Sequence, residues 1–146
     1  MKKIFEPKKI EKKWYAYWEK NKLFSPKVSS NKKTFSIMIP PPNVTGSLHM
    51  GHGFQNTLMD ALARYKRLKG FEVLWQPGTD HAGIATQLVV ERNLEQKGIT
   101  RKEIGRNKFE KEIWKWKSSS ENIISSQLKR MGASLDWNRE KFTMDN

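Results

Sequence analysis

Three consecutive prolines, Pro40 to Pro42, stop an apolar run, TFSIMI, that spans Thr34 to Ile39. The run is short and mostly apolar, which reads as a strand. Proline has no N–H to give to a central ladder, so pairing is expected to end at Pro40. Gly46 follows, and then a helical pattern from about Ser47 to Lys69. Phe54, Leu58, Ala61, Leu62, Tyr65 and Leu68 recur there at the 3.6-residue period and form one apolar stripe. Gly70 is a natural C-terminal cap. Phe71 to Trp75, FEVLW, reads as a second strand, ended by Pro77-Gly78. Strand, helix and strand in a unit of this size predict an α/β fold with a parallel crossover.

The flanking segments are less strongly patterned. Residues 1–33 read as a helical extension and linker. Ile10, Trp14, Tyr17, Trp18 and Phe24 give an aromatic face expected in a core, and Pro26 to Lys33 is polar and turn-rich. After the second strand, Ile84 to Lys97 reads as helix ending at Gly98, and Thr100 with Glu103 forms a capping box. A long helix is then expected to run to about Arg130, with Phe109, Ile113, Trp116, Ile123, Ile124 and Leu128 along one side. Trp114 and Trp116 are two apart and cannot both face that way. Beyond Gly132 the chain reads as irregular. Two strands make a poor parallel core, so the chain is expected to be the N-terminal piece of something larger, with residues 34–146 as one incomplete domain.

The chemistry-bearing residues sit at the two strand ends. All three histidines fall there: His49 and His52 in PPPNVTGSLHMGHG, Pro40 to Gly53, and His81 in GTDHAG, Gly78 to Gly83. A helix start offers unpaired N–H groups and positive dipole character, which suit a phosphate, and imidazole N–H groups there add donors. Ligands of doubly wound sheets sit beyond the carboxyl ends of the strands. His49, His52 and His81 are therefore expected around one crevice with Asn43, Thr45 and Asp80. Gly46 would permit a tight turn, and Gly51 and Gly53 would let a flat ligand approach the backbone. Asp80 could hold a substrate ammonium or cap the following helix. The spacing is neither a GxGxxG fingerprint nor a Walker A loop. A zinc site from the three histidines and a Ser47–His49–Asp80 arrangement are the weaker readings, for want of further ligands and of a GxSxG elbow.

The chain carries 28 basic and 15 acidic residues in 146, a net charge of +13. Nucleic acid is a reasonable partner for such a charge, although dispersed lysines also serve solubility. Cysteine is absent, which excludes disulfides and thiolate metal sites. No apolar run is long enough for a membrane span, and the N-terminus has no apolar core of a secretory signal, so a cytoplasmic location is expected.

PPPNVTGSLHMGHG and GTDHAGIATQ resemble the valyl branch of the class I aminoacyl-tRNA synthetases, and His49-Met50-Gly51-His52 matches their HIGH signature. The resemblance extends over the whole chain. It is most specific from Phe35 to Arg92 and from Leu128 to Asp145. It implies the first half of a Rossmann-like (HUP) nucleotide-binding domain and a ligase that joins valine to tRNA(Val) through a valyl-adenylate. The implied roles are phosphate stabilisation by His49 and His52, and ATP binding by Thr45, Gly46, His49, Gly51, His52 and Gly53. Pro41, Asn43 and Asp80 would bind the amino acid, with His81 nearby. ATP with Mg2+, L-valine and tRNA(Val) would be the partners, no tightly bound metal is expected in this segment, and the full-length enzyme would be a monomer. Specificity for another branched aliphatic amino acid, or a non-catalytic nucleic-acid-binding module, is the alternative. An apolar pocket rejects threonine poorly, so a separate editing site is implied for the complete enzyme. Neither that site, a KMSKS loop nor an anticodon-binding region is present in these 146 residues, so the segment alone is expected to be inactive.

Overall fold

A computed structural model of the chain describes residues 6–27 and 31–145. Its centre is a parallel pair, β1 (Thr34–Met38) and β2 (Glu72–Gln76), in register from Thr34 opposite Glu72 to Met38 opposite Gln76. The crossover between them is α2 (Met50–Leu68), as the strand–helix–strand pattern predicts. Gly70 ends α2 with φ +81°, a left-handed conformation that glycine adopts without a Cβ clash.

The prolines interrupt pairing rather than end it. Ile39 N–H still donates to the Gln76 carbonyl at 3.0 Å. Past the prolines, Asn43 pairs in parallel with Asp80: Asp80 N–H donates to the Pro42 carbonyl at 2.8 Å, and Val44 N–H to the Asp80 carbonyl at 2.9 Å. A proline lacks the donor but keeps its acceptor, so Pro42 can take part once the chain has turned back to the strand.

The C-terminal segment, expected to be irregular, is ordered and forms a second, two-stranded parallel pair with the chain just after β2. β3 (Gly78–Thr79) pairs in parallel with β4 (Lys141–Phe142), and Asp136 N–H donates to the Trp75 carbonyl at 3.1 Å. Trp75 and Gln76 are adjacent, and their carbonyls serve opposite edges, Gln76 toward β1 and Trp75 toward the returning chain. Residues 133–136 are all buried, and Leu135 joins Trp75, Ile39, Ile124 and Leu128 in the main core. A two-residue strand carries too little alternation to be seen in sequence.

Three helices follow β3: α3 (Ile84–Glu95), α4 (Arg101–Ile104) and α5 (Arg106–Arg130). The Thr100–Glu103 capping box forms at the start of α4. The long helix predicted from there is broken at Gly105, where φ is +74°. Phe109, Ile124 and Leu128 of α5 are buried as expected, whereas Ile123 is 44% exposed. The two tryptophans diverge: Trp116 Nε1 donates to the Val44 carbonyl at 2.7 Å, and Trp114 meets Phe142 edge-on.

Two apolar faces differ from expectation. The α2 stripe is exposed, from Leu62 at 40% to Leu68 at 87%. The opposite face is the packed one: Ala63 is buried in the core, and Asp60, Arg64 and Arg67 bond to the returning chain. Asp60 Oδ1 accepts from Ser134 N–H, Arg64 donates to the Gly132 carbonyl, and Arg67 to the Ser134 carbonyl. On α1 (Pro7–Lys20), Trp14 and Tyr17 are about half exposed, and Tyr15 is the buried aromatic. Tyr15 Oη donates to the Ala133 carbonyl at 2.8 Å and accepts from Trp137 Nε1 at 2.6 Å, and its burial raises its pKa.

Candidate active site

His49 is the N-cap of α2, in extended conformation with φ −118° and ψ 176°. Its Nδ1 accepts the Gly51 N–H at 3.0 Å, while its own N–H donates to His52 Nδ1 at 3.2 Å. The two imidazoles thus form a reciprocal capping box, with ring centroids 4.0 Å apart. A nitrogen that accepts a backbone N–H carries no proton. Both rings therefore hold their proton on Nε2, and each has one N–H donor left beside the helix start. Desolvation, and then the neighbouring His49, lower the His52 pKa below its ordinary value, which favours this neutral form.

Gly51 is the glycine this arrangement requires. A Cβ there would lie 2.8 Å from His49 Cε1 and 3.1 Å from Nδ1. The space expected for a flat ligand has the His49 ring against it. A Cβ at Gly53 would meet only Met131 at 3.8 Å, an ordinary contact. Gly46 has neither a left-handed φ nor a crowded neighbour, so its turn does not demand glycine.

At the second strand end, the pairing of Asn43 with Asp80 brings the two loops side by side. Asp80 Oδ1 accepts the Ala82 N–H at 2.5 Å, an Asx turn. It does not cap α3, whose N-cap is Gly83 with no side-chain bond. The turn places Ala82 at φ +52° and Gly83 at φ +49°. His81 is held by Thr143: its N–H donates to Thr143 Oγ1 at 3.0 Å, and Nδ1 lies 2.7 Å from the same oxygen. His81 opens on a cavity of about 870 Å³, lined also by Val44, Thr86, Phe109, Trp114 and Phe142. Neither His49 nor His52 lines that cavity.

Thus His49 joins His52, and Asn43 joins Asp80, while His81 faces a cavity of its own. Thr45 and Pro41 lie half-buried in the intervening loop, and Asn43 is exposed. Gly78, expected only to stop the second strand, has a structural demand of its own: a Cβ there would meet the Lys141 carbonyl oxygen at 2.8 Å. Its position in Pro77-Gly78 signals a turn, and nothing local announces a strand 63 residues away. Among the described residues no group of three or more His, Asp or Glu could hold a metal ion, which leaves the histidine zinc reading without a ligand set. No helix among them is long and apolar enough to cross a membrane.

Residues 13–146 match the family described as tRNA synthetases class I (I, L, M and V). The chain belongs to the class I tRNA synthetases. Among relatives in this family, the valine–tRNA ligase of Legionella pneumophila (strain Lens) is 59% identical over 145 residues, 99% of this chain and 16% of that protein. The valine–tRNA ligase of Dechloromonas aromatica (strain RCB) is 58% identical over 144 residues, 98% of this chain and 15% of the other. The chain therefore spans about a sixth of the length of these relatives. A structural neighbour is a LeuRS from Agrobacterium radiobacter K84, in a ternary complex with tRNA and LeuAMS. It superposes with a TM-score of 0.78 at 20% identity, over 97% of this chain and 16% of that one. At that identity the likeness concerns the fold, and it supports the class I synthetase architecture of the parallel layer.

Proposed function

We propose that this chain serves as the first part of the catalytic domain of a valine–tRNA ligase, where ATP activates valine before its transfer to tRNA(Val). The single observation that carries the reading is the reciprocal His49–His52 cap, which leaves two Nε2–H donors at the start of a 19-residue helix. The 58–59% identity with valine–tRNA ligases supports the choice of amino acid.

In the proposed step, the valine carboxylate attacks the α-phosphorus of ATP and pyrophosphate leaves. Such a transfer depends on positioning and charge stabilisation more than on a side-chain nucleophile. His49 and His52 donate from Nε2 to phosphate oxygens as charge builds on them, aided by the positive end of α2. The lowered pKa of His52 suits this role, because its donor is present without a proton being gained or lost. Asp80 receives the valine ammonium on the oxygen that the Asx turn leaves over, and Pro41 and Asn43 line the amino-acid pocket. Thr45, Gly46, Gly51 and Gly53 border the nucleotide, and His81 stands next to Asp80 on the side of its cavity. Magnesium arrives on the ATP phosphates as part of the substrate. The +13 charge favours the later encounter with tRNA. In this reading residues 34–146 form the first half of the catalytic domain and 1–33 an extension, which Tyr15 bonds to the Ala133 carbonyl.

The test is a chimera in which this chain replaces the matching N-terminal segment of the Legionella pneumophila ligase. Valine-dependent ATP–pyrophosphate exchange is expected from the chimera, with threonine a poor substitute and isoleucine inactive, and no exchange from the 146-residue chain alone. Exchange driven best by isoleucine, leucine or methionine would overturn the valine assignment. A folded chimera silent with every amino acid would overturn the catalytic one.

A further inference from the structure

The loop from Val44 to Leu48 joins the Asn43–Asp80 bridge to the His49 cap. It belongs to no strand or helix, and a backbone without a ladder must find other partners. Three of its backbone groups are taken by side chains of α5. Trp116 Nε1 donates to the Val44 carbonyl at 2.7 Å, and Ser120 Oγ to the Gly46 carbonyl at 3.2 Å. Gln127 Oε1 accepts the Leu48 N–H at 2.8 Å. Positions 116, 120 and 127 follow the helical period and lie on one face with Ile124, which is 1% exposed in the main core. Ser120 is equally buried. The clamp is therefore fixed to the core and grips the loop over most of its length, ending one residue before His49.

We infer that Trp116, Ser120 and Gln127 are positioning residues for the proposed phosphate site, with Gln127 setting the place of the His49 ring through the Leu48 N–H. The inference rests on the reading of His49 and His52 as phosphate donors. All three bonds go to backbone, so the clamp acts on the path of the loop and leaves its side chains to the ligand. Leu48 N–H is the last backbone donor before the cap. Its release frees the Ser47–Leu48 peptide plane to turn about the flanking φ and ψ, which shifts the His49 ring and, because His52 is tied to the His49 N–H, both Nε2–H donors. A displacement of about 1 Å in such a site lowers a rate by up to about 100-fold. Valine would contact the Asn43–Asp80 side, upstream of the released bond, so its binding should hardly change.

Two substitutions at position 127 separate positioning from packing. Gln127→Glu keeps an oxygen acceptor, while Gln127→Met keeps the length and removes it. In the chimera, Gln127→Met is expected to lower kcat for valine-dependent exchange by 10- to 100-fold. KM for valine should stay within about twofold, and Gln127→Glu should recover most of the loss. In the 146-residue chain, amide exchange at Leu48 should accelerate about tenfold in Gln127→Met and stay slow in Gln127→Glu. The ring-nitrogen chemical shifts of His49 should change with it. An unchanged kcat, equal losses in the two variants, or a parallel rise in KM would overturn the inference. So would fast exchange at Leu48 in the unsubstituted chain. If the unsubstituted chimera lacks exchange activity, the synthetase reading fails, and the Leu48 and His49 measurements still decide the clamp.

Discussion

Replacing Gly51 by alanine sets two local effects against each other and separates stability from activity. The new Cβ would sit 2.8 Å from His49 Cε1, well inside contact distance, so the ring must swing away. The bond from Gly51 N–H to His49 Nδ1 is then lost, and with it the geometry of the bond from His49 N–H to His52. Loss of an N-cap costs about 1 kcal/mol. Alanine in place of glycine near the start of a helix returns up to about 1 kcal/mol. The two nearly cancel, so the melting temperature should move by no more than a few degrees. Catalysis has no such compensation. Both Nε2–H donors leave their places, and losing preorganised donors of this kind lowers kcat by about 100- to 1,000-fold. Calorimetry on the chain and valine-dependent exchange by the chimera measure the two effects. An exchange rate within threefold of the unsubstituted chimera would refute the argument that the His49 ring position governs the reaction. Destabilisation beyond about 2 kcal/mol would show that Gly51 answers a backbone demand rather than a ring contact.

His49→Asn keeps a strong N-cap but removes the Nε2–H, so thermal stability should hold while exchange falls by about 100-fold; equal losses in both would contradict the assignment. The His52 pKa is lower in the folded chain than its ordinary 6.5, so the unfolded chain takes up that proton first. Its contribution to stability is complete above about pH 6.5 and is lost as pH falls through the folded value. Melting temperature measured from pH 8 to pH 5 should therefore decline, with a shallower decline in His52→Gln. Gly78→Ala must push the Lys141 carbonyl off β3, with an expected loss of about 1–3 kcal/mol by chemical denaturation; a neutral result would mean the β3–β4 pairing is dispensable.

The crossover was legible because each of its parts carries a local signal: strand, proline stop, glycine cap, strand. The cap at Thr100 was legible for the same reason. The face of α2 was not. Its period identifies a stripe through Phe54, Leu58 and Leu62, but a period does not say what covers it. The packed side is chosen instead by small Ala63 against the sheet and by Asp60, Arg64 and Arg67 bonding to residues 132–134. Those bonds join residues about 70 apart, and no local pattern announces them. Around the candidate site, the motif pointed to His49, His52 and Asp80, and the fold sets His49 beside His52 and Asp80 beside Asn43. It could not show that the histidines cap each other or that Gly51 makes room for a ring. Trp116 was seen only as an apolar residue and Gln127 not at all, since a single polar side chain on a helix has no signature until its partner is known.

Tyr15 meets Trp137, 122 residues away, and Ser25 meets Asp136. A ribosome adds about 5–20 residues each second, so the aromatic residues of the first helix emerge roughly 6–25 s before the segment that covers Tyr15. During translation the early part of this protein waits for its cover, and its excess of positive charge favours solubility until residues 133–142 are made.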